Sequence, residues 1–485
     1  IEGWIEIAAR SGSTGPMHDR AVGLLILLAG CSQGGATQGT GPASDLAMVE
    51  QPGPDGGGGL PDLTPPADLA LPAAEGKPLW ARSYNAQVED VATAVDGSIY
   101  LTGSFSNADF GDGPVSSSGS SDCFLIKFDK LGQRQWAKTF GRAYSDVPRK
   151  VSADKDGNVA VVGYSLRSAA TGTHDAFVTE YAATGAQRFF RTYGGPTVNA
   201  VDVGISTGFA ADGSLWVTGG FEDTIDFGGG TFTSAGSRDI YLLKLSTTGA
   251  HLLSKRFGFT SYDQSSGLTV MSDGDVVVAG SAGYPIDFGD GNVGTNPSVD
   301  AFLVRFAPSG VARWSKRFVQ RQYSVSTVVA GNGGTIWYVG DFNGSVDFGG
   351  GPRTPSTNRA IFWAQYSGTG AHLGSFMLPS NNGIYLTNPA VDSTGQIVMG
   401  GRADGDIDFG FGNTVAAAGQ SFVFKSAADG RVRWAHRFGG SSSDEVKGTA
   451  ILPGDQVVAA GLVSKSTQVG TVGLSPYGFM LTLTP

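Results

Sequence analysis

The sequence predicts an all-β chain, and three observations carry that expectation. Glycine supplies 75 of 485 residues with no collagen period. Short runs rich in Val, Thr, Phe and Tyr alternate apolar and polar side chains between glycine turns, the period of a half-buried strand. One two-strand unit, clearest as DCFLIKFDKLGQRQWAKTFG from Asp122 to Gly141, returns in variant form about every sixty residues. Antiparallel hairpins at a fixed period argue for one repeat domain, not a string of unrelated ones.

The chain before the repeats has a different character. Residues 1–16 read as a leader outside the native start and are set aside from fold reasoning. From Met17, Arg20 precedes an apolar run, Ala21 to Ala29, that ends at Gly30 and Cys31. The run is too short to span a bilayer, which takes roughly 20 apolar residues, but it has the length of a signal-peptide core. Residues 17–30 followed by Cys31 resemble a bacterial lipoprotein signal, which implies lipidation of Cys31 and a cell-envelope address. Ser32 after the cysteine implies the outer membrane by the same resemblance. Residues 31–76, rich in Gly, Pro and Asp and without Lys or Arg before Lys77, hold too little apolar surface to offset the entropy of ordering, and a disordered tether is expected.

From residue 77 to 485 each unit supplies four strands. The Trp strand recurs at Trp80, Trp136, Phe189, Leu253, Trp314, Leu373 and Trp434, with a large side chain four residues on at Tyr84, Phe140, Tyr193, Phe257, Phe318, Met377 and Phe438. An Asp or Asn follows six residues later in most copies, at Asp90, Asp146, Asn199, Asp263 and Asp444. A hairpin then turns at Asp96-Gly97, Asp156-Gly157, Asp212-Gly213, Asp273-Gly274, Asn332-Gly333, Gly395 or Gly454, where positive φ is cheap. Seven such units predict a seven-bladed β-propeller of four-stranded antiparallel blades. The chain starts its repeats on an unpartnered Trp strand and stops on the strand Tyr477 to Thr484 that lacks one. Trp80 is therefore expected to complete the last blade and close the ring. Lys138, Arg191, Lys255, Lys316 and Arg437 on the Trp strands are expected at exposed blade edges, where charge discourages edge pairing.

The sequences DAFVTEY and DAFLVRF, followed by a turn, W-x-K-x-F-G and a hairpin with Asp-Gly, resemble the SBBP family of β-propeller repeats in secreted bacterial proteins. The resemblance covers roughly Lys77 to Pro485 and implies the same fold.

The candidate chemistry is acidic. Asp-Phe-Gly-x-Gly stands at Asp109, Asp226, Asp287, Asp347 and Asp408, and in three units a second Asp follows 13 residues on, at Asp122, Asp239 and Asp300. These pairs could approach across the loop and hold a hard cation such as Ca²⁺ on oxygen ligands, or each Asp could cap its own turn. Asp146, Asp263, Asp347, Asp408 and Asp444 are expected to share one acidic, glycine-rich face that binds a partner. Cys123 is expected to be an inert core residue. His174, His251, His372 and His436 fall in different units, so no His cluster forms, and no nucleophile elbow is present.

A net charge of −10 disfavours nucleic acid as a partner. The expected function is that of a non-enzymatic, monomeric cell-envelope lipoprotein without a cofactor, touching the membrane through its lipid alone. Its propeller would be a binding scaffold for a protein or a glycan. Two alternatives stay open. Asp429-Gly430-Arg431-Val432-Arg433-Trp434 resembles turns of outer-membrane assembly propeller lipoproteins, and a carbohydrate-active enzyme would need two carboxylates in a central cleft.

Overall fold

The computed structural model describes residues 75–168, 170–283, 285–291, 300–319, 326–411, 420–441 and 443–485. Cys31, the leader, the signal and the tether up to residue 74 lie outside the described residues, as does Ser324.

Among the described residues seven antiparallel sheets of four or five strands stand around one axis, and four two-stranded hairpins accompany them. Blade 1 comprises Gln87–Thr93, Ile99–Phe105, Asp122–Phe128 and Arg134–Phe140 from inside to outside. Blades 2 to 6 repeat that order, with inner strands Asp146–Ala153, Val203–Phe209, Gln264–Val270 and Ser326–Ala330, and in blade 6 the divided pair Ile384–Leu386 and Ala390–Val391. Blade 7 takes Glu445–Ile451, Val457–Val463 and Tyr477–Leu483 from the end of the repeats and Pro78–Tyr84 from their beginning. The expected closure is present: Trp80 pairs with Thr482 and Ser83 with Phe479. Among the described residues no helix is long and apolar enough to cross a membrane.

The two faces of the ring differ in how the chain crosses them. The turn face carries the hairpin turns, and all seven of the expected glycines from Gly97 to Gly454 adopt positive φ there. The loop face carries the junctions between blades and the Asp-Phe-Gly hairpins. Second strands such as Ile99–Phe105 and third strands such as Asp122–Phe128 are buried almost throughout, and their side chains fill the space between neighbouring blades. Cys123 is among them, fully buried, with its thiol pKa pushed up by that burial.

The Trp strand has a definite mechanical role at the rim. Each third-to-fourth-strand turn places a positive-φ glycine under the large side chain of the preceding blade: Gly132 under Trp80, Gly185 under Trp136, Gly249 under Phe189, Gly310 under Leu253, Gly370 under Trp314, and Gly76 under Trp434. A Cβ at Gly132 would stand 2.6 Å from the Trp80 ring, so any side chain would push the blades apart. Four residues beyond six of the seven glycines the chain supplies the next plate, as in Gly132 and Trp136, and beyond Gly370 the plate comes two residues later, so the contact runs unbroken round the ring. Asp429-Gly430-x-x-x-Trp434 is one link of this series.

Two expectations are corrected here. In blade 5 the strand pairing puts Gly374, not Leu373, at the Trp position, because Gly374 faces Gln365 as Trp314 faces Arg305. Leu373 is exposed, and Phe376, two residues on, swings over the space that Gly374 leaves empty and covers Gly430. The rim cations also differ from the expectation: Lys138, Lys255, Lys316 and Arg437 are half-buried, and only Arg191 of the five is exposed. Lys316 lays its stem along the rim with its ammonium 5.9 Å from the Trp314 ring centre and 5.5 Å from that of Tyr366.

Candidate functional site

The Asp-Phe-Gly-x-Gly loops are built as turns with a buried plug. Asp109 Oδ1 accepts hydrogen bonds from the amides of Gly111 at 2.7 Å and Gly113 at 3.1 Å. Asp226, Asp287 and Asp347 repeat both bonds, and Asp408 makes the first with Gly410 at 2.8 Å. The phenylalanine between goes inward: Phe110, Phe227, Phe288, Phe348 and Phe409 are buried against an aromatic ring of the third strand, with centroids 4.4 to 5.9 Å apart. The residue at x meets the start of the fourth strand. In blade 1 Asp112 takes an ion pair with Arg134, whereas in blades 3 and 5 glycines 229 and 350 leave room for the His251 and His372 rings.

The strand-starting acids find other neighbours than expected. Asp122 accepts from the Ser118 amide at 3.0 Å, and the carboxylate beside it is that of Asp146. Gly141 separates them, its missing Cβ position lying 2.5 Å from Asp122 and 2.8 Å from Asp146. Asp239 stands likewise near Asp263, and Asp175 near Asp202 across Gly194. Arginine supplies countercharge: Arg256 pairs with Asp239, and Arg167 stands 3.3 Å from Asp175. Among the described residues no three His, Cys, Asp or Glu side chains come together as a metal site.

Asp146, Asp263 and Asp444 do not form a solvated acidic face, because all three are buried. Their carboxylates knit the loop face from below. Asp263 accepts from the amides of Phe259 at 2.8 Å and Gly283 at 2.7 Å, and Asp444 from Gly440 at 2.9 Å and Ser464 at 2.6 Å. Asp347 and Asp408 are exposed on that face. In blade 3 the equivalent acid is Asp202 instead of Asn199, which bends the loop with a positive φ. Burial, with the charges of Asp175 and Glu222 nearby, raises the Asp202 pKa to about 7 against two backbone hydrogen bonds that lower it.

Asp90 also falls elsewhere than the spacing implies. Ala86 occupies the position equivalent to Asp146, and Asp90 lies four residues further along the inner strand. There it joins two other blades. Lys150 of blade 2 stands 3.2 Å away, the Val151 amide donates at 2.9 Å, and Asn388 of blade 6 donates at 3.2 Å. Asn388 reaches past blade 7 because Gly448 intervenes, where a Cβ would stand 2.5 Å from the Asp90 carboxylate. Beside this clasp, Glu89, Arg149 and Lys447 act on one another electrostatically at the mouth of the ring. Burial raises the Glu89 pKa, opposed by Lys447 and Arg149.

The loop face also exposes aromatic rings that the sequence reading did not single out. Tyr144, Phe259, Tyr262, Tyr385 and Tyr477 are all more than a third exposed. Tyr262 and Tyr385 are backed by the guanidinium groups of Arg238 and Arg402, at 5.0 and 4.0 Å from the ring centres. On the turn face, a cavity of about 570 Å³ lies beside Trp136, and on its wall Lys127 and Trp136 both donate to the Ala183 carbonyl.

No family model matches the chain. It is similar to the regulatory protein FlaEY of Caulobacter vibrioides, 29% identical over 215 residues, a match that takes in 40% of this chain and 22% of that protein. The chain thus spans about a fifth of the length of that relative. Among solved structures it resembles the WD40 β-propeller domain of Doa1, at 10% identity and a TM-score of 0.43 over 85% of this chain and 97% of that one. It also resembles the hydrazine synthase of Kuenenia stuttgartiensis, at 12% identity and 0.43 over 83% and 97%. A puromycin hydrolase aligns at 9% identity and 0.40 over 81% and 55%. The fold assignment rests on the strand pairing itself.

Proposed function

We propose that this chain is a non-enzymatic binding propeller that engages a protein or glycan of the cell envelope through its loop face. One observation carries the reading. The polar groups that recur from blade to blade are consumed internally, while the loop face and the mouth of the ring hold the exposed aromatic rings and the non-repeating charges. Rigid scaffolds place recognition on such loops. The carboxylate pairs an enzyme would need are closed off under backbone amides and arginines, which supports binding over catalysis.

The finer assignments belong to the same proposal: an SBBP-type repeat protein, anchored through Cys31 at the outer membrane. The described chain enters blade 7 at Gly76 on the turn face, on the opposite side of the ring from the loop face. Membrane fractionation of a Cys31→Ala variant tests the anchor, since retention in the membrane would remove it.

For the binding face, the full chain with Tyr144→Ser, Tyr385→Ser and Tyr477→Ser is compared with a turn-face control carrying Val95→Ser and Leu131→Ser. Envelope material should be retained by the control and lost by the loop-face variant. Equal retention by both would overturn the reading.

A further inference from the structure

The seven inner strands are least alike where they bend. Register shifts in blades 1, 2, 3, 4 and 7 leave one residue of each unpaired with its second strand: Glu89, Arg149, Ile205, Ser266 and Lys447. A bulge of this kind re-aims a side chain, and bulges gather beside binding sites. Lys447, Glu89 and Arg149 stand on three consecutive blades, so the sign of charge alternates along one arc of the mouth.

The arc is incompletely satisfied by the protein. Glu445 holds Lys447 at 2.9 Å. Glu89, half-buried and drawn toward both cations, makes no hydrogen bond or close ion pair among the described residues. The Arg149 guanidinium is exposed and meets the face of Tyr164 at 5.2 Å, not an acid. Tyr385 adds a ring plate at the start of the blade 6 inner strand, braced by Arg402.

We propose that this arc binds a neutral polyhydroxylated ligand, an oligosaccharide, a reading that rests on the loop-face function above. The two cations that flank Glu89 repel an ammonium or guanidinium, and Glu89 with Glu445 repels a phosphate or carboxylate. A pair of neighbouring hydroxyls suits both signs, since one donates to Glu89 while the other accepts from Arg149. The apolar face of a sugar ring can then lie on Tyr385.

The test applies the full-length protein to an array of neutral, uronic-acid and sulfated oligosaccharides, followed by calorimetry on the best neutral binder. Wild type should retain neutral oligosaccharides, and Glu89→Ala and Arg149→Ala should each weaken binding at least about tenfold while the melting temperature holds. Retention of no neutral sugar, retention of acidic sugars alone, or unchanged affinity in both variants would overturn the proposal. Should the loop-face serine variant lose envelope binding while no sugar binds, the ligand class fails and the scaffold stands. If the serine variant loses nothing, the scaffold itself fails.

Discussion

The rim and the axis of the ring are built from the same repeat and have been used differently. At the rim, seven plates cover seven glycines, and where the Trp position is vacated at Gly374 the contact is restored by Phe376 from two residues away. At the axis, the equivalent positions are Asp90, Lys150, Ser206, Gly267, Thr327, Asn388 and Gly448, seven positions filled by six residue types. The rim repeats because one packing problem recurs at each blade boundary. The axis diverges because the inner strands are tied by different groups: Asp90 joins Lys150 and Asn388, whereas Ser206 exchanges hydrogen bonds with the Leu268 backbone and Thr449 donates to the Asn388 carbonyl.

The comparison breaks first at that clasp. Replacing Asp90→Ala strands Lys150 and Asn388 at once, and a loss of about 4 kcal/mol in chemical denaturation is expected, since removing one partner of a buried pair leaves the other uncompensated. Gly448→Ala should reproduce part of the loss by pressing on the same carboxylate. If Asp90→Ala costs no more than an exposed substitution, the axis is not a clasp.

Between rim and axis, Asp202 sharpens the contrast through pH. Its folded pKa of about 7 exceeds the ordinary carboxylate value of 3.8, so the native state holds a proton that the unfolded chain has released across that interval. Its contribution therefore falls as pH rises from about 4 to 7, by up to about 3 kcal/mol. Asp202→Asn should flatten the stability profile in that window. A variant profile parallel to wild type would contradict the assignment.

At the rim, Gly374→Trp restores the repeat residue but meets Phe376 in the same space, and overpacking should cost about 2 kcal/mol. Adding Phe376→Lys, which recreates the pattern of blade 4, should recover most of it; non-recovery in a double-mutant cycle would mean the two positions do not share one role. The smallest expected effect is at the bulge. Arg149→Ala should change stability by no more than about 0.5 kcal/mol, because its guanidinium has no acidic partner to strand.

The architecture was legible from the chain because it is repeated seven times: turn glycines, Trp strands and the closure through Trp80 all follow from period and pairing. The site was less legible, for reasons that the residues make plain. Asp109 and Asp122 are 13 apart and look like partners, yet Asp109 spends its oxygen on Gly111 and Gly113. The partner of Asp122 is Asp146, reached through Gly141. The spacing of 19 that joins Asp122 to Gly141, Asp175 to Gly194 and Asp239 to Gly258 marks this arrangement and would have found Asp175. Counting residues from an aromatic misplaces Asp90, Asn199 and Leu373 because the spacing changes from blade to blade, by four residues at Asp90, three at Asn199 and one at Leu373. Glu89, Arg149 and Lys447 left no signal, since a bulge is a fact of strand pairing and none of the three repeats.

Gly76 and Pro485 meet on the side of the ring away from the tyrosines, the Gly76 amide 3.3 Å from the final carbonyl. A resin, sensor surface or fluorescent domain joined at either of these two points would approach from behind, like a handle on the back of a mirror. Capture experiments attached there would leave the tyrosine side open to whatever it recognises.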